Sequence, residues 1–243
     1  SPRWASQVTA ENADEFRAYP PKDMKDWETY VYKTVEHYRG IIDYWEVWNE
    51  PDGNQFLKVR GSFGRSPTAE VYTELLKAAY KAAKKANPNA TIVGGVANRE
   101  PLSHWFAEIF SRGAYPYMDI LSLHSYTDGW PGDALPVSRG AYVDELRALM
   151  RKHGSGTEKP IWETESGVLY PETAYGNIRQ VTSGYHPSPR DSAAYVVRHY
   201  VDLLSRGVSK WFYYSMMVSH RIDRSEARYR FPQGARGQAP AVH

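Results

Sequence analysis

The sequence predicts an α/β fold in which a parallel sheet is built from strands that alternate with helices. Strand-like and helix-like segments follow one another strictly from residue 22 to residue 215, which is the pattern of parallel strands joined by crossover helices. The 243 residues are 42% hydrophobic, so the chain is long enough and apolar enough to bury one sizeable core. Its length also lies in the range of a single α/β barrel.

The alternation begins with an amphipathic helix over 22–38, where apolar residues recur every three or four positions and Gly40 provides a C-terminal stop. A strand follows over 41–48, because this segment is rich in β-branched and aromatic residues. Ser66-Pro67 begins the second helix with proline at the first helical position, and Asn87-Pro88 ends it.

The later elements continue the same alternation. They are predicted as strands over 91–95, 118–124, 159–164 and 210–215, and as helices over 100–110, 142–153 and 191–206. In the last of these helices, Val197, Val201 and Leu204 fall on one apolar face. Two connections, 128–140 and 168–189, read as loops, and the second has the length of a functional loop.

Residues 1–217 are therefore predicted to form one domain, followed by a C-terminal tail over 218–243. The tail is rich in Arg, Gly, Pro and Gln, and its apolar residues fit a helix poorly. It is predicted to be irregular or disordered.

Composition argues against several classes of function. A formal net charge of +2 gives no support to a nucleic-acid or anionic-membrane partner, and no apolar run approaches the roughly 18 residues that span a bilayer. The absence of cysteine excludes disulfides and cysteine-ligated metals. The eight histidines show no metal-type spacing, so no metal and no cofactor are predicted. The N-terminus has no signal-peptide core, and the compartment stays undetermined.

Two carboxylate motifs carry the chemistry that the sequence suggests. Trp-Asn-Glu-Pro at 48–51 and Thr-Glu-Ser-Gly at 164–167 each follow a predicted strand, and the carboxyl ends of parallel barrel strands meet at one rim. A retaining glycosidase needs an acid and a nucleophilic carboxylate about 5–5.5 Å apart. Glu50 and Glu165 are the candidates. The aromatic content of 14% suits a carbohydrate ligand, since aromatic rings stack on sugars.

These motifs carry a resemblance to a known group of enzymes. Tyr-Trp-Glu-Val-Trp-Asn-Glu-Pro at 44–51, together with Pro-Ile-Trp-Glu-Thr-Glu-Ser-Gly at 160–167, resembles the retaining glycoside hydrolases of clan A, which are TIM barrels. The first string and Pro-Lys-Asp at 21–23 resemble the family 39 branch of xylosidases and iduronidases. The resemblance implies that Glu50, ending barrel strand 4, is the acid/base, and that Glu165, ending strand 7, is the nucleophile.

The resemblance also implies substrate-binding residues at the rim. His124 and Tyr126 end a segment that resembles strand 6, where a His or Tyr lines the sugar site and can hydrogen-bond the nucleophile. Trp211 lies in a segment that resembles strand 8, whose aromatic residues often form a sugar platform. Asn49 could hydrogen-bond a sugar hydroxyl beside the scissile bond. No cofactor is implied.

Several of these residues also have a structural interpretation. His124 could equally be a satisfied structural histidine, and core packing is an alternative role for Trp211. Glu46 and Glu163 share strand parity with the two candidate catalytic glutamates but lie further inside the barrel. They are interpreted as interior polar residues.

The strand count indicates an incomplete barrel. The chain supplies segments that resemble strands 4–8 and none that resembles strands 1–3, so the predicted fold is a partial (β/α)8 TIM barrel of about five βα units. Open edges are expected around Val47 and Phe212. A homodimer formed through the open side, with exchanged elements as one form of it, would cover them. Alternatively, the tail or residues 1–20 would fold across the gap.

Two functions are consistent with this description. The first is a retaining β-glycosidase that uses two glutamates by double displacement, with xylan or xylosides suggested by the family branch. The second is a catalytically inactive remnant of such an enzyme, acting as a binding or scaffold module because the residues of strands 1–3 are missing.

Overall fold

The structure is a computed structural model. It describes residues 1–8, 15–53, 55–60, 65–98, 102–125, 140–167 and 189–214. Within these ranges a five-stranded sheet has its strands in chain order, and every neighbouring pair is parallel. The strands are β1 (Tyr44–Glu46), β2 (Thr91–Ala97), β3 (Ile120–Leu123), β4 (Ile161–Ser166) and β5 (Val208–Tyr213). The predicted α/β fold and partial barrel are confirmed.

Helices connect successive strands, as the alternation predicts. They are α1 (Met24–His37), α2 (Arg65–Ala86), α3 (Leu102–Ser111), α4 (Gly140–His153) and α5 (Pro189–Ser205), with a 3-10 turn at Tyr115–Tyr117. The side chain of Asp23 caps α1 by accepting a hydrogen bond from the Lys25 amide at 2.9 Å. Gly40 follows α1 with a φ of 82°, a left-handed conformation that favours glycine at this exit.

The outer face of the sheet packs against the helices. Strand register pairs Leu121 with Gly94 on one side and with Ile161 on the other, and Ile92 lies on the same face two residues before Gly94. Ile92, Leu121 and Ile161 all belong to one buried cluster with helical side chains such as Leu75 and Trp105. A buried apolar layer of this kind is what holds a sheet and its crossover helices together.

The inner face, which would line a closed barrel, is partly exposed. Val93, Ile120 and Trp162 form a separate small buried cluster there. Lys210 of β5 places Nζ 4.2 Å from the Trp162 ring centroid and 4.8 Å from that of Tyr44 on β1. Side chains from the two ends of the sheet therefore meet, which shows that the sheet curls into a half-barrel.

The two edge strands of the described sheet are β1 and β5, as expected from the missing strands. Tyr44 on the first and Phe212 on the second remain 49% and 46% exposed. A partner across this open side stays a prediction. Among the described residues, no helix combines the length and the apolar character needed to cross a membrane.

Two sequence interpretations are corrected by the structure. Helix α5 does not bury the face that carries Val197, Val201 and Leu204, which are exposed, but turns His199 and Leu203 inward. Glu163 does not point into the barrel. It lies in the outer row beside Leu123 and contacts His199 of α5.

Some predicted segments lie outside the described residues. They are the tail over 218–243, most of the loop over 128–140, and the loop over 168–189 apart from its last residue. The predicted first strand over 41–48 is shorter than expected, since regular pairing covers only β1. Ile41 is 78% exposed.

Candidate active site

The first glutamate motif leaves β1 through an unusual backbone path. The Val47 amide donates to the carbonyl of Val93 at 3.0 Å, after which Trp48 and Glu50 adopt φ values of 70° and 41°. Residues other than glycine rarely adopt positive φ values. Such a backbone conformation costs free energy, so contacts with the surrounding structure must hold it in place. One enforcing contact is the hydrogen bond from Trp48 Nε1 to the carbonyl of Phe56 at 3.0 Å. The path turns the Glu50 side chain into the rim, where it is largely buried.

The second motif ends β4 beside an irregular stretch of sheet. Pairing between β4 and β5 shifts register between Glu163 and Ser166, and Glu165 lies within this shift. A Cβ atom on Gly167 would come within 2.2 Å of the Tyr214 carbonyl oxygen, so only glycine fits where the strands approach so closely. The glycine of the motif therefore sets the position of the strand end that carries Glu165.

Glu50, Glu165 and His124 meet at the rim. His124 Nδ1 lies 2.9 Å from Glu50 Oε1 and 3.9 Å from Glu165 Oε2. One oxygen of each carboxylate and the imidazole nitrogen all lie within 4.8 Å of one another. Two strand ends that are distant in the sequence thus bring one oxygen of Glu50 within 4.8 Å of one oxygen of Glu165.

The charge of His124 is set by its two acidic neighbours. Burial lowers the pKa of His124, but the hydrogen bond to Glu50 and the charges of Glu165, Glu50 and Glu46 outweigh burial and raise this pKa above its usual value. An imidazolium between two carboxylates reduces their mutual repulsion. His124 is only 1% exposed, so these interactions are little screened by water.

The predicted substrate-binding residues do not all lie at the rim. Asn49 is exposed beside Glu50, and His124 reaches the site but hydrogen-bonds Glu50, whereas the resemblance suggested the nucleophile. Tyr126 lies outside the described residues. Trp211 faces α5, with its ring 4.9 Å from that of His199. The sugar platform expected at Trp211 therefore gains no support, because its indole belongs to the helix-facing layer.

Sequence reasoning missed the polar residues behind the rim. Ser125 and Ser166 directly follow His124 and Glu165, and both reach toward the buried Glu163 and His199 of the helix-facing side. The alternation of side chains along a strand was the available signal, since a residue next to a site residue faces the opposite side of the sheet.

The same three side chains that form the site are of types that bind divalent cations. Glu50, His124 and Glu165 offer one potential ligand atom each within the 4.8 Å cluster. Two carboxylates can perform glycoside hydrolysis without a metal. That the chain uses no metal or cofactor stays a prediction.

Comparison with known proteins identifies the family. The model of glycosyl hydrolases family 39 matches residues 11–231. No curated protein matches the chain.

Solved structures with a similar fold are mostly glycosidases of the same architecture. A monomeric β-xylosidase from Caulobacter crescentus CB15 is 19% identical with a TM-score of 0.56, over 80% of this chain and 39% of that one. A glucosidase from Croceicoccus marinus is 20% identical with a TM-score of 0.54, over the same shares. An α-L-arabinofuranosidase from Thermotoga maritima is 16% identical with a TM-score of 0.54, over 81% of this chain and 42% of that one. The chain thus spans about two fifths of the length of these proteins, and their likeness establishes its fold.

Proposed function

The chain belongs to the family 39 glycosyl hydrolases, and on that premise we propose that it is a retaining O-glycoside hydrolase, a β-glycosidase acting by double displacement. The observation that carries the proposal is the meeting of Glu50 and Glu165 at the rim, with potential reacting oxygens within 4.8 Å of each other. Inverting enzymes separate their carboxyl groups by roughly 6.5–9.5 Å to leave room for a water molecule.

Glu165 is the nucleophile in this proposal and Glu50 the acid/base. In the first step a carboxylate oxygen of Glu165 bonds to the anomeric carbon while Glu50 gives a proton to the departing glycosidic oxygen. In the second step Glu50 takes a proton from water, whose oxygen bonds to the anomeric carbon and releases Glu165. Two inversions leave the anomeric configuration unchanged.

His124 supports both steps through its contact with Glu50. Nδ1 of His124 lies 2.9 Å from Oε1 of Glu50, so His124 orients the carboxyl group of the proposed acid/base. The Glu50 side chain is 11% exposed and that of Glu165 is 27% exposed, so both carboxylates can be reached from the rim.

Substrate recognition in this proposal involves residues beside the glutamates. Asn49, exposed next to Glu50, hydrogen-bonds a sugar hydroxyl, and Tyr126 is a further proposed substrate-binding residue. Xylosides or xylan fragments are the proposed substrates, on the strength of the family and of a structural neighbour described as a β-xylosidase.

Two copies of the chain would associate through the partly exposed inner face of the sheet and its open strand edges. The half-exposed rings of Tyr44 and Phe212 on the inner face support an obligate homodimer joined there, with exchanged elements as one form of it. Association would bury apolar surface and pair the open strand edges.

The second candidate function is that of an inactive binding or scaffold module. The observation that favours it is that the chain covers only 39% of the structure of a monomeric β-xylosidase from Caulobacter crescentus CB15.

Hydrolysis of a panel of aryl β-glycosides separates the two functions. We expect release of the aryl group from at least one sugar, and loss of this activity to background in Glu165→Gln. Glu50→Gln should slow turnover by about 10²- to 10⁴-fold, the range for loss of a general acid/base. Exposed Lys152→Gln on α4 is the matched control and should keep full activity. Activity that survives Glu165→Gln would refute the assigned nucleophile, and a fully inactive wild type would favour the binding module.

A further inference from the structure

A buried polar network lies directly behind the rim, on the helix-facing side of β4. Glu163 is fully buried and His199 of α5 is 2% exposed. Oε1 of Glu163 accepts a hydrogen bond from Ser125 Oγ at 2.6 Å and lies 2.9 Å from Nε2 of His199. With a carboxylate as its acceptor, Nε2 is the nitrogen that carries the proton. Burial of a carboxylate lowers the free energy of unfolding unless partners compensate for the lost hydration, and Glu163 lies in a layer made mostly of apolar side chains.

The network is tied to two of the three strand ends that carry site residues. Ser125 is the neighbour of His124, and Ser166 is the neighbour of Glu165. Oγ of Ser166 lies 3.3 Å from His199 Nε2 and accepts from Trp211 Nε1 at 2.7 Å. His124 and Glu165 therefore each have a sequence neighbour whose side chain reaches this network.

The ring of His199 is fixed on both sides by aromatic contacts. Its centroid lies 4.9 Å from that of Tyr195, with the planes 14° apart, and 4.9 Å from that of Trp211, with the planes at 72°. Because the His199 ring is held in this way, the position of α5 determines where the ring meets Glu163 and Ser166. The members of the network are spread over β4, β5, α5 and the segment that directly follows β3.

We propose that Glu163 and His199 form a positioning pair, which holds His124 and Glu165 in register with Glu50 through Ser125 and Ser166. The catalytic consequence of this pair rests on the proposed glycosidase function, whereas its geometric effect on His124 does not. The alternative is a merely structural role in holding α5 on the sheet. Apolar side chains would serve that purpose at lower cost, and they would leave the two serines without their partners.

The test compares Glu163→Leu and Glu163→Gln with Ile161→Ala in the full chain. Ile161 is fully buried on the same side of β4, two residues from Glu163, so its truncation weakens the core without touching the network. Two quantities are measured for each variant. The first is the 15N chemical shift of His124 Nδ1, which reports the hydrogen bond to Glu50. The second is the pair of kcat and KM values on the best aryl β-glycoside.

We expect Glu163→Leu to move the His124 Nδ1 shift and to lower kcat by about 10- to 100-fold with a smaller change in KM, because displacement of reacting groups by an ångström costs about that much. Glu163→Gln keeps an oxygen that both donors can reach and should retain most of the wild-type shift and kcat. Ile161→Ala should lose thermal stability and leave His124 as in the wild type.

The pair is merely structural if Glu163→Leu leaves the His124 shift and kcat no more changed than Ile161→Ala does. If Glu163→Leu does not fold, Ser125→Ala takes its place in the comparison with Ile161→Ala. This substitution removes the hydrogen bond from Ser125 to Glu163 without changing the charge. If the wild type has no glycosidase activity, the proposed function is wrong. The 15N chemical shift of His124 Nδ1 alone then decides whether Glu163 and His199 position the site.

Discussion

His124 lies between two carboxylates, so its charge links the chemistry of the rim to the stability of the fold. The groups that face it are Glu50, Glu165 and, at longer range, Glu46. Their attraction overcomes the cost of burial and keeps the pKa of His124 raised in the folded chain. A histidine whose folded pKa is raised stabilises the fold below its unfolded pKa, about 6.5, and this contribution is lost as pH rises through the folded pKa.

The raised pKa of His124 predicts how the free energy of unfolding depends on pH. The free energy of unfolding of the wild type, minus that of His124→Gln, should fall between pH 6 and pH 9. Urea denaturation across this range measures the difference. His104→Gln, at an exposed position of α3, is the control and should show no such trend. A wild-type advantage that grows with pH would mean that the two carboxylates do not hold a charged His124.

At the scale of elements, the strand ends were the most predictable part of the molecule. Glu50 and Glu165 follow strands whose apolar and aromatic residues are local in sequence, so their arrival at one rim follows from parallel pairing. The orientation of Glu163 could not be read in this way. A register shift between β4 and β5 lies between Glu163 and Ser166, and irregularities of this kind leave no periodic signal in the sequence. Strand parity counted back from Glu165 therefore gave the wrong face.

Helix α5 shows the same limit for helical periodicity. Its apolar residues Val197, Val201 and Leu204 suggested the core face, yet the sheet side buries Leu203 together with the polar His199. The polar partner of His199 is Glu163, which lies on a different element. A pattern that counts apolar residues cannot anticipate a buried polar pair.

The orientation of α5 predicts the cost of two substitutions. Leu203→Ala should destabilise the fold by about 2–5 kcal/mol, since Leu203 is buried at 4% exposure. Val201→Gln should change stability by less than about 0.5 kcal/mol, since Val201 is 58% exposed. Thermal and urea unfolding of both variants measure these costs. A Val201→Gln cost equal to that of Leu203→Ala would show that the exposed face is covered in solution.

At the scale of the whole molecule, the half-barrel brings the site together and leaves its inner face open. The rim residues are positioned by the strands themselves, whose outer face packs against helices. The inner face holds Lys210 between the rings of Tyr44 and Trp162, with Phe212 beside Trp162. The site residues therefore lie at the rim of a sheet that helices support from its outer face.

The open inner face predicts the mass of the particle in solution. Light scattering at micromolar concentration should give about twice the chain mass of 27.8 kDa, because association would bury the exposed rings of β1 and β5. Phe212→Asp, which adds a charge to that surface, should shift the mass toward one chain, whereas Lys152→Glu on the exposed side of α4 should not. A wild type that is a stable monomer would rule out the homodimer.

The central claim is that Glu50 and Glu165 work as the acid/base and nucleophile of a retaining glycosidase. Trapping of the covalent intermediate tests it most directly. The wild type is incubated with a 2-deoxy-2-fluoro-β-xyloside that carries a good leaving group, and the protein is then digested for peptide mass spectrometry. The proposal predicts one glycosyl unit per chain, attached to Glu165, and no labelling of Glu165→Gln. A label on another residue, or hydrolysis that inverts the anomeric configuration with no label at all, would contradict it.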